Sequence, residues 1–286
     1  MPFSKEHFTK NLTYQEESQS SIILSALQKI AEIDCWAEKQ EKKYFRYIWV
    51  YGGILVFSIF LCFIFFVIGL PLLIIAIIGL IYSGVQYNQY RRLNIENYRY
   101  ELPKKTIAML NRDRKGDTNL KINIDFRKPT DKAKQIKSLP HPYLPQWKME
   151  IFADKWLTVS GEFLDGTKFY LSITEIYRTV SGWRKNSRGK LKHKSKTKFK
   201  NAQISLVLRY PSHKYGAIKA IQQEIQQAVK SPAYTVVKKV DVTDKKVDLI
   251  LKSSQNDTDS LYETITTMFL SLYQVLNLAR MLSKKG

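Results

Sequence analysis

The sequence predicts an α+β membrane protein: a two-helix transmembrane hairpin joined to a cytosolic domain in which amphipathic helices cover an antiparallel sheet of about 5–6 strands. Three observations predict it. Residues 47–85 contain no charged side chain. The second half of the chain alternates apolar and polar residues in runs separated by turn signals, and its last segment returns to four-three apolar spacing.

The uncharged stretch begins with residues 47–68, about 22 residues, which as an α-helix reach roughly 33 Å and match a hydrocarbon core. A charge-free helix pairs its own backbone groups, and Phe57, Phe60, Phe63, Phe65 and Phe66 suit lipid tails. Gly69 and Pro71 mark the expected hairpin turn, because proline lacks an N–H and restricts the residue before it. Pro71 also suits the first position of a second, shorter span over residues 71–87. Gly79 and Ser83 form a weak small-xxx-small step.

The ends of both spans carry membrane-interface anchors: Arg46, Tyr47 and Trp49 at the first, Tyr82, Tyr87, Arg91 and Arg92 at the second. Lys39, Lys42 and Lys43 reinforce the first flank and Arg99 the second, whereas the turn holds no Lys or Arg. The asymmetry predicts both termini and the main domain on the cytoplasmic side. In that orientation the glycosylation-like Asn11-Leu12-Thr13 and Asn256-Asp257-Thr258 are chance matches. The opening residues lack the apolar core of a cleaved signal peptide, so the hairpin is expected to direct its own insertion.

A length of 286 residues accommodates the hairpin plus one folded domain. The expected divisions are a helical segment at 1–45, the hairpin at 46–88, a helical stalk at 89–115 and a basic α+β domain at 116–286. The formal net charge of +21 lies at Arg46 and beyond the hairpin, a field that favours an anionic partner. Only Cys35 and Cys62 are present, so no disulfide framework can form, which suits a reducing compartment.

Along the chain, residues 13–45 read as a helix with Ile23, Leu27, Ile30 and Ile33 on one stripe. Residues 86–100 continue the second span as a polar stalk, broken at Leu102-Pro103. Leu120, Ile122, Ile124 and Phe126 alternate with polar residues as a strand. Residues 129–145 read as a connecting loop, and 149–164 with 168–180 as a hairpin turned by Asp165-Gly166, a two-residue type I′ signal.

The most unusual feature follows. Lys190, Lys192, Lys194, Lys196, Lys198 and Lys200 occupy every second residue, preceded by Arg184, Lys185 and Arg188, with no acid from Arg184 to Lys200. A strand projects such a series from one face. Ala202, Ile204, Leu206 and Leu208 continue the same parity as an apolar face, so a bulge near Asn201, or an arm reaching beyond the core, must separate the two. Lysine on exposed strands also guards against edge-to-edge pairing, but six in register exceed that need.

Residues 215–230 read as a helix, 236–242 and 247–251 as a hairpin turning near Asp244-Lys245. Leu261, Ile265, Met268, Leu272, Val275, Ala279 and Leu282 mark an amphipathic C-terminal helix.

No cofactor, metal or catalytic constellation is expected. The four histidines and two cysteines lack ligand spacing, and the acids are scattered rather than paired. The sequence therefore points to a non-enzymatic, membrane-tethered basic domain. It would bind anionic membrane lipid or an acidic protein in scaffolding, assembly or regulation, with a second copy engaged through the N- or C-terminal helix. One alternative is a subunit of a membrane enzyme or transporter whose site needs a partner. Another is a tethered nucleic-acid binder in which Tyr177, Trp183 and Phe199 would stack on bases.

Overall fold

The computed structural model describes residues 3–114, 118–185, 187–212, 214–215, 230–243 and 245–283. Apart from its end residues, the helix expected over 215–230 lies outside them. The chain forms two compact units: residues 25–97, and residues 1–24 together with 98–286. A segment cut at residue 116 would therefore lack parts of the domain.

The first unit is built from α2 (Ser20–Ile64), of which residues 25 onward belong to it, and α3 (Phe66–Leu93), both long and apolar enough to cross a membrane. The interruption between them falls at Phe65, not at the expected turn. Gly69 and Pro71 lie inside α3. Pro71 is the sixth residue of that helix, past its first turn, where it cannot donate to the Val67 carbonyl four residues back. Gly69 serves a close approach instead: a Cβ there would collide with the backbone of Cys62. Gly79 does the same against the ring of Tyr51. Further out Tyr44 meets Tyr82 at 6.2 Å and Trp36 meets Tyr90 at 5.1 Å between ring centroids. Beyond α3, Asp34 accepts the backbone N–H of Ile95 at 2.8 Å. This sequence of contacts runs the two helices back along each other. The stalk is not one helix: α3 stops at Leu93 and α4 (Tyr98–Leu110) begins after an irregular link. Pro103 does not break α4, although as its sixth residue it cannot donate to the Arg99 carbonyl; it is buried there with Tyr100, Leu102 and Ile107.

The second unit opens with α1 (Lys5–Asn11), capped by the Ser4 hydroxyl, which accepts from the His7 N–H, and closed by Leu12 in the left-handed region at φ 53°. Then comes β1 (Thr13–Ser18), where the sequence suggests a helix. Tyr14 points inward opposite Ile124 while Gln15 and Glu17 face out, a two-residue period too short to read against the helical stripe that follows.

The remaining strands are β2 (Leu120–Asp125), β3 (Gln135–His141), β4 (Leu144–Glu162), β5 (Lys168–Lys185), β6 (Leu191–Arg209), β7 (Thr235–Thr243) and β8 (Lys246–Ser253). They form an eight-stranded sheet, larger than expected, in the order β1-β2-β4-β5-β6-β8-β7, with β3 also on β4. The extra strands are β1 and β3. The latter lies within the segment expected to be a loop, where Pro140 is tolerated because β3 pairs only with β4 among the described residues.

All the strand pairs are antiparallel. The β4–β5 connection is not a type I′ turn. The Gly166 N–H donates to the Phe163 carbonyl, the Phe163 N–H to the Thr167 carbonyl, and only Gly166 has positive φ, at 83°. That is a three-residue loop with a glycine bulge.

One face of the sheet is covered by α4 and the C-terminal helix α5 (Thr258–Ser283). Its core joins Leu157, Val159, Leu171, Ile173, Ile204, Leu206, Leu249 and Leu251 to Leu102 and Ile107 of α4 and to Leu261, Ile265, Met268 and Leu272 of α5, all essentially inaccessible. Each such side chain contributes about 1.5–3 kcal/mol on burial. The C-terminal stripe is thus spent within its own domain.

Candidate functional site

The sheet is longer than its core. At their far ends β3, β4, β5 and β6 form an arm of four strands, while β8 pairs only with Ala202–Arg209 of β6. Ile176 pairs with Asn201 but Tyr177 with Phe199, leaving Lys200 as an extra residue. The parity offered two devices: the arm beyond the core is one, and this bulge is the other. It turns the strand so that Ala202, Ile204, Leu206 and Leu208 face the core while Lys192, Lys194, Lys196 and Lys198 face away from it.

The strand pairs define what shares the lysine face. Lys198, Lys196, Lys194 and Lys192 stand beside Arg178, Val180, Gly182 and Arg184 of β5. Next come Ile151, Met149 and Trp147 of β4, then Lys137 and Leu139 of β3. Gly182 has a local reason: a Cβ there would collide with the indole of Trp147, which lies across the strand. No acid belongs to this face of the arm. Among the described residues, none of Lys192, Lys194, Lys196, Lys198 and Lys200 is joined to a carboxylate, and all five are exposed. Lys185 ends β5, and Arg188 and Lys190 lie in the loop between the strands, where Gly189 takes φ 75°. The structure therefore gathers the nine predicted basic residues on one arm.

The opposite face of the arm differs. Tyr177 packs edge-on to Phe199 at 5.6 Å, Thr179 and Thr197 share a hydrogen bond of 2.8 Å, and Trp183 meets His193 at 5.4 Å. Tyr177 is buried, and its ring is packed against the very ring expected to stack beside it on a base.

The predicted interface anchors gather near one end of the α2–α3 pair. Phe45 meets both Trp49 and Tyr87, Tyr44 meets Tyr47 and Tyr82, and Arg91 lies over the Tyr87 ring at 5.8 Å. Arg46 and Arg92 are exposed nearby in the chain. Arg99 is different. It is a buried member of a charge cluster rather than a flanking cation.

That cluster sits where arm and core meet, at an irregularity in β4 between Asp154 and Leu157. Asp154 and Glu175, far apart in sequence, are direct cross-strand partners, so the acids are paired after all. A guanidinium nitrogen of Arg99 donates to Asp154 at 2.6 Å and lies 3.8 Å from Glu175, while another donates to the Asp125 carbonyl at 2.8 Å. The Lys134 ammonium reaches Asp154 at 2.7 Å and Asp125 at 3.2 Å, and Arg127 also holds Asp125. The Tyr98 and Tyr177 hydroxyls both donate to Glu175. Burial pushes the Glu175 carboxyl above its usual range, outweighing Arg99 and the two hydroxyls. Burial also raises Asp125, but hydrogen bonds from Arg127 and the charge of Lys134 outweigh it and hold that carboxyl low.

Sequence reasoning missed this cluster, although a signal existed: Asp154 shares the inward parity of Phe152, and Glu175 that of Leu171 and Ile173. A groove of about 620 Å³ between α4, α5 and the 163–165 turn was also not foreseen. It is lined by Phe163, Phe269, Tyr215, Tyr273, Arg112 and Asp165, and the Tyr215 hydroxyl donates to Asp165 at 2.7 Å.

Comparison with known proteins finds no matching family model, no matching curated protein and no matching solved structure.

Proposed function

We propose that the chain is a non-enzymatic membrane tether that holds a basic sheet arm against anionic lipid, with α2 and α3 as a spanning hairpin and both termini cytoplasmic. The hairpin reading is supported by what the two helices expose. Phe63 and Val67 are 87% and 84% accessible, and Val56, Phe60, Ile68 and Ile78 are also open. In water such surfaces would drive association, whereas acyl chains satisfy them. The clustered Tyr and Trp rings with Arg91 and Lys43 are the groups that favour a headgroup boundary.

The observation that carries the binding reading is the acid-free lysine face. A partner must supply the anions, and each lysine near an anionic leaflet contributes about 1 kcal/mol. A flat array of repeating phosphates matches cations spaced every second residue along a strand. A packed Tyr177–Phe199 pair leaves little for base stacking, which favours lipid over nucleic acid.

The full-length protein, embedded in phosphatidylcholine nanodiscs, tests the reading through capture of free vesicles. Vesicles containing phosphatidylserine should be captured and phosphatidylcholine vesicles should not. The combined Lys192→Gln, Lys194→Gln, Lys196→Gln and Lys198→Gln variant should lose capture. Capture indifferent to lipid charge, or unaffected by the variant, overturns it.

A further inference from the structure

We infer that the end of the arm enters the boundary between headgroups and acyl chains of the anionic bilayer, with Tyr143, Leu144, Trp183 and Leu191 as the inserted side chains. The inference rests on the lipid reading above and deepens it. The β3–β4 and β5–β6 connections lie at the same end of the arm, because β4 starts there, β5 ends there and β6 leaves from there. Four large side chains are displayed at that end: Tyr143 is 88% accessible, Leu191 61%, Trp183 58% and Leu144 46%. They are not left over from a core, since the arm's own packing uses Phe152, Tyr177 and Phe199 nearer the domain.

The charge around these residues selects the occupant. Residues 139–149 and 180–196, which make the outer part of the arm, contain no Asp or Glu. An apolar tip ringed by cations is the arrangement that a headgroup layer accepts: rings and aliphatic chains sit below the phosphates, and lysines along the strand reach them from above. An acidic protein would meet the cations but offers no apolar layer at the tip. A single-stranded nucleic acid offers stacking to Trp183, whose ring already meets His193, and nothing to the aliphatic Leu144 and Leu191.

Depth measurements on the whole chain decide the matter. Cys35 and Cys62 are replaced by Ala, and one cysteine is introduced by Leu144→Cys, Leu191→Cys or Lys252→Cys, the last on an exposed position of β8 as a control. Each carries an environment-sensitive fluorophore, and each protein is embedded in phosphatidylcholine nanodiscs. Vesicles of phosphatidylcholine and phosphatidylserine with brominated acyl chains are then added. The expected result is a blue shift and bromine quenching at 144 and 191 and neither at 252. The double variant Leu144→Ser, Leu191→Ser should weaken capture about tenfold with the lysines intact. Capture without blue shift or quenching overturns the insertion and leaves the lysine reading standing, whereas absence of any capture overturns both. A blue shift produced by single-stranded RNA but not by vesicles reassigns the tip to nucleic acid.

Discussion

Arg99, Lys134 and Arg127 each meet a carboxylate inside or at the margin of the domain, whereas Lys192, Lys194, Lys196 and Lys198 meet none among the described residues. Both groups bear on the same sheet, the first reaching its carboxylates from α4 and from the links that follow β2, the second standing on β6 along the arm. Removing charges from water costs several kcal/mol per ion, so the junction is tolerable only because Asp154, Glu175 and Asp125 answer the cations and Tyr98 and Tyr177 fill remaining acceptor positions. The arm lysines face no such cost, since they stay hydrated. Cations answered internally hold the fold together; those left unanswered are available to something outside it.

The strongest way to break this contrast is Asp154→Ala. It strands Arg99 and Lys134 without their shared carboxylate, and loss of one partner of a buried ion pair costs about 3–5 kcal/mol. Denaturant unfolding of the full-length protein in detergent should show that loss, while Lys194→Ala should stay within about 0.5 kcal/mol. Equal effects from the two would erase the distinction.

Salt sharpens the same contrast without mutation. Raising ionic strength from about 0.1 to about 1 M shortens the screening length from about 10 to about 3 Å. Vesicle capture should fall more than tenfold, and the unfolding midpoint should barely move because the paired charges are shielded from solvent ions. A parallel collapse of stability would place the buried cluster in solvent.

The two groups also differ in how far they can be read from sequence. Six lysines at alternate positions are a local pattern, and so is the conflict with Ala202 and Ile204 that a bulge or a protruding arm resolves. The uncharged helices and the C-terminal stripe are local in the same way. By contrast Arg99, Lys134, Asp154 and Glu175 come from four elements or links, and each resembles a solvated residue until the register brings it to its partners. The β1 strand was hidden for a related reason: its backbone hydrogen bonds go to β2, more than a hundred residues later in the chain. Gly69 misled because a residue that ends helices also permits close packing, and Pro71 because α3 continues through a proline that removes only one donor.

Deleting Lys200 tests the device that separates the two faces. Without the extra residue Asn201 and Phe199 become neighbours and still stand opposite Ile176 and Tyr177, so the lysines keep their face and the Phe199–Tyr177 contact is kept. Stability in denaturant unfolding should change by no more than about 0.5 kcal/mol, and vesicle capture should fall only by the loss of one cation, about 1 kcal/mol. Loss of capture as large as that of the four-lysine variant would mean that the bend of the bulge, not the strand register, aims the lysine face.

The smallest expected effect lies inside the cluster and depends on pH. Asp125, with its folded pKa lowered, adds stability above its unfolded value near 3.9, and this is lost as pH falls through the folded value. Glu175 has the opposite sign. Its folded pKa is raised by burial, so between its unfolded value, near 4.3, and its folded value the native state binds the extra proton, and stability falls as pH rises. Glu175→Gln keeps an acceptor for Tyr98 and Tyr177 but cannot ionise. The stability of the wild type relative to that variant should therefore decline as pH is raised from about 4 toward neutrality. A difference that is flat across this range would show that Arg99 and the two hydroxyls fully compensate the burial of Glu175.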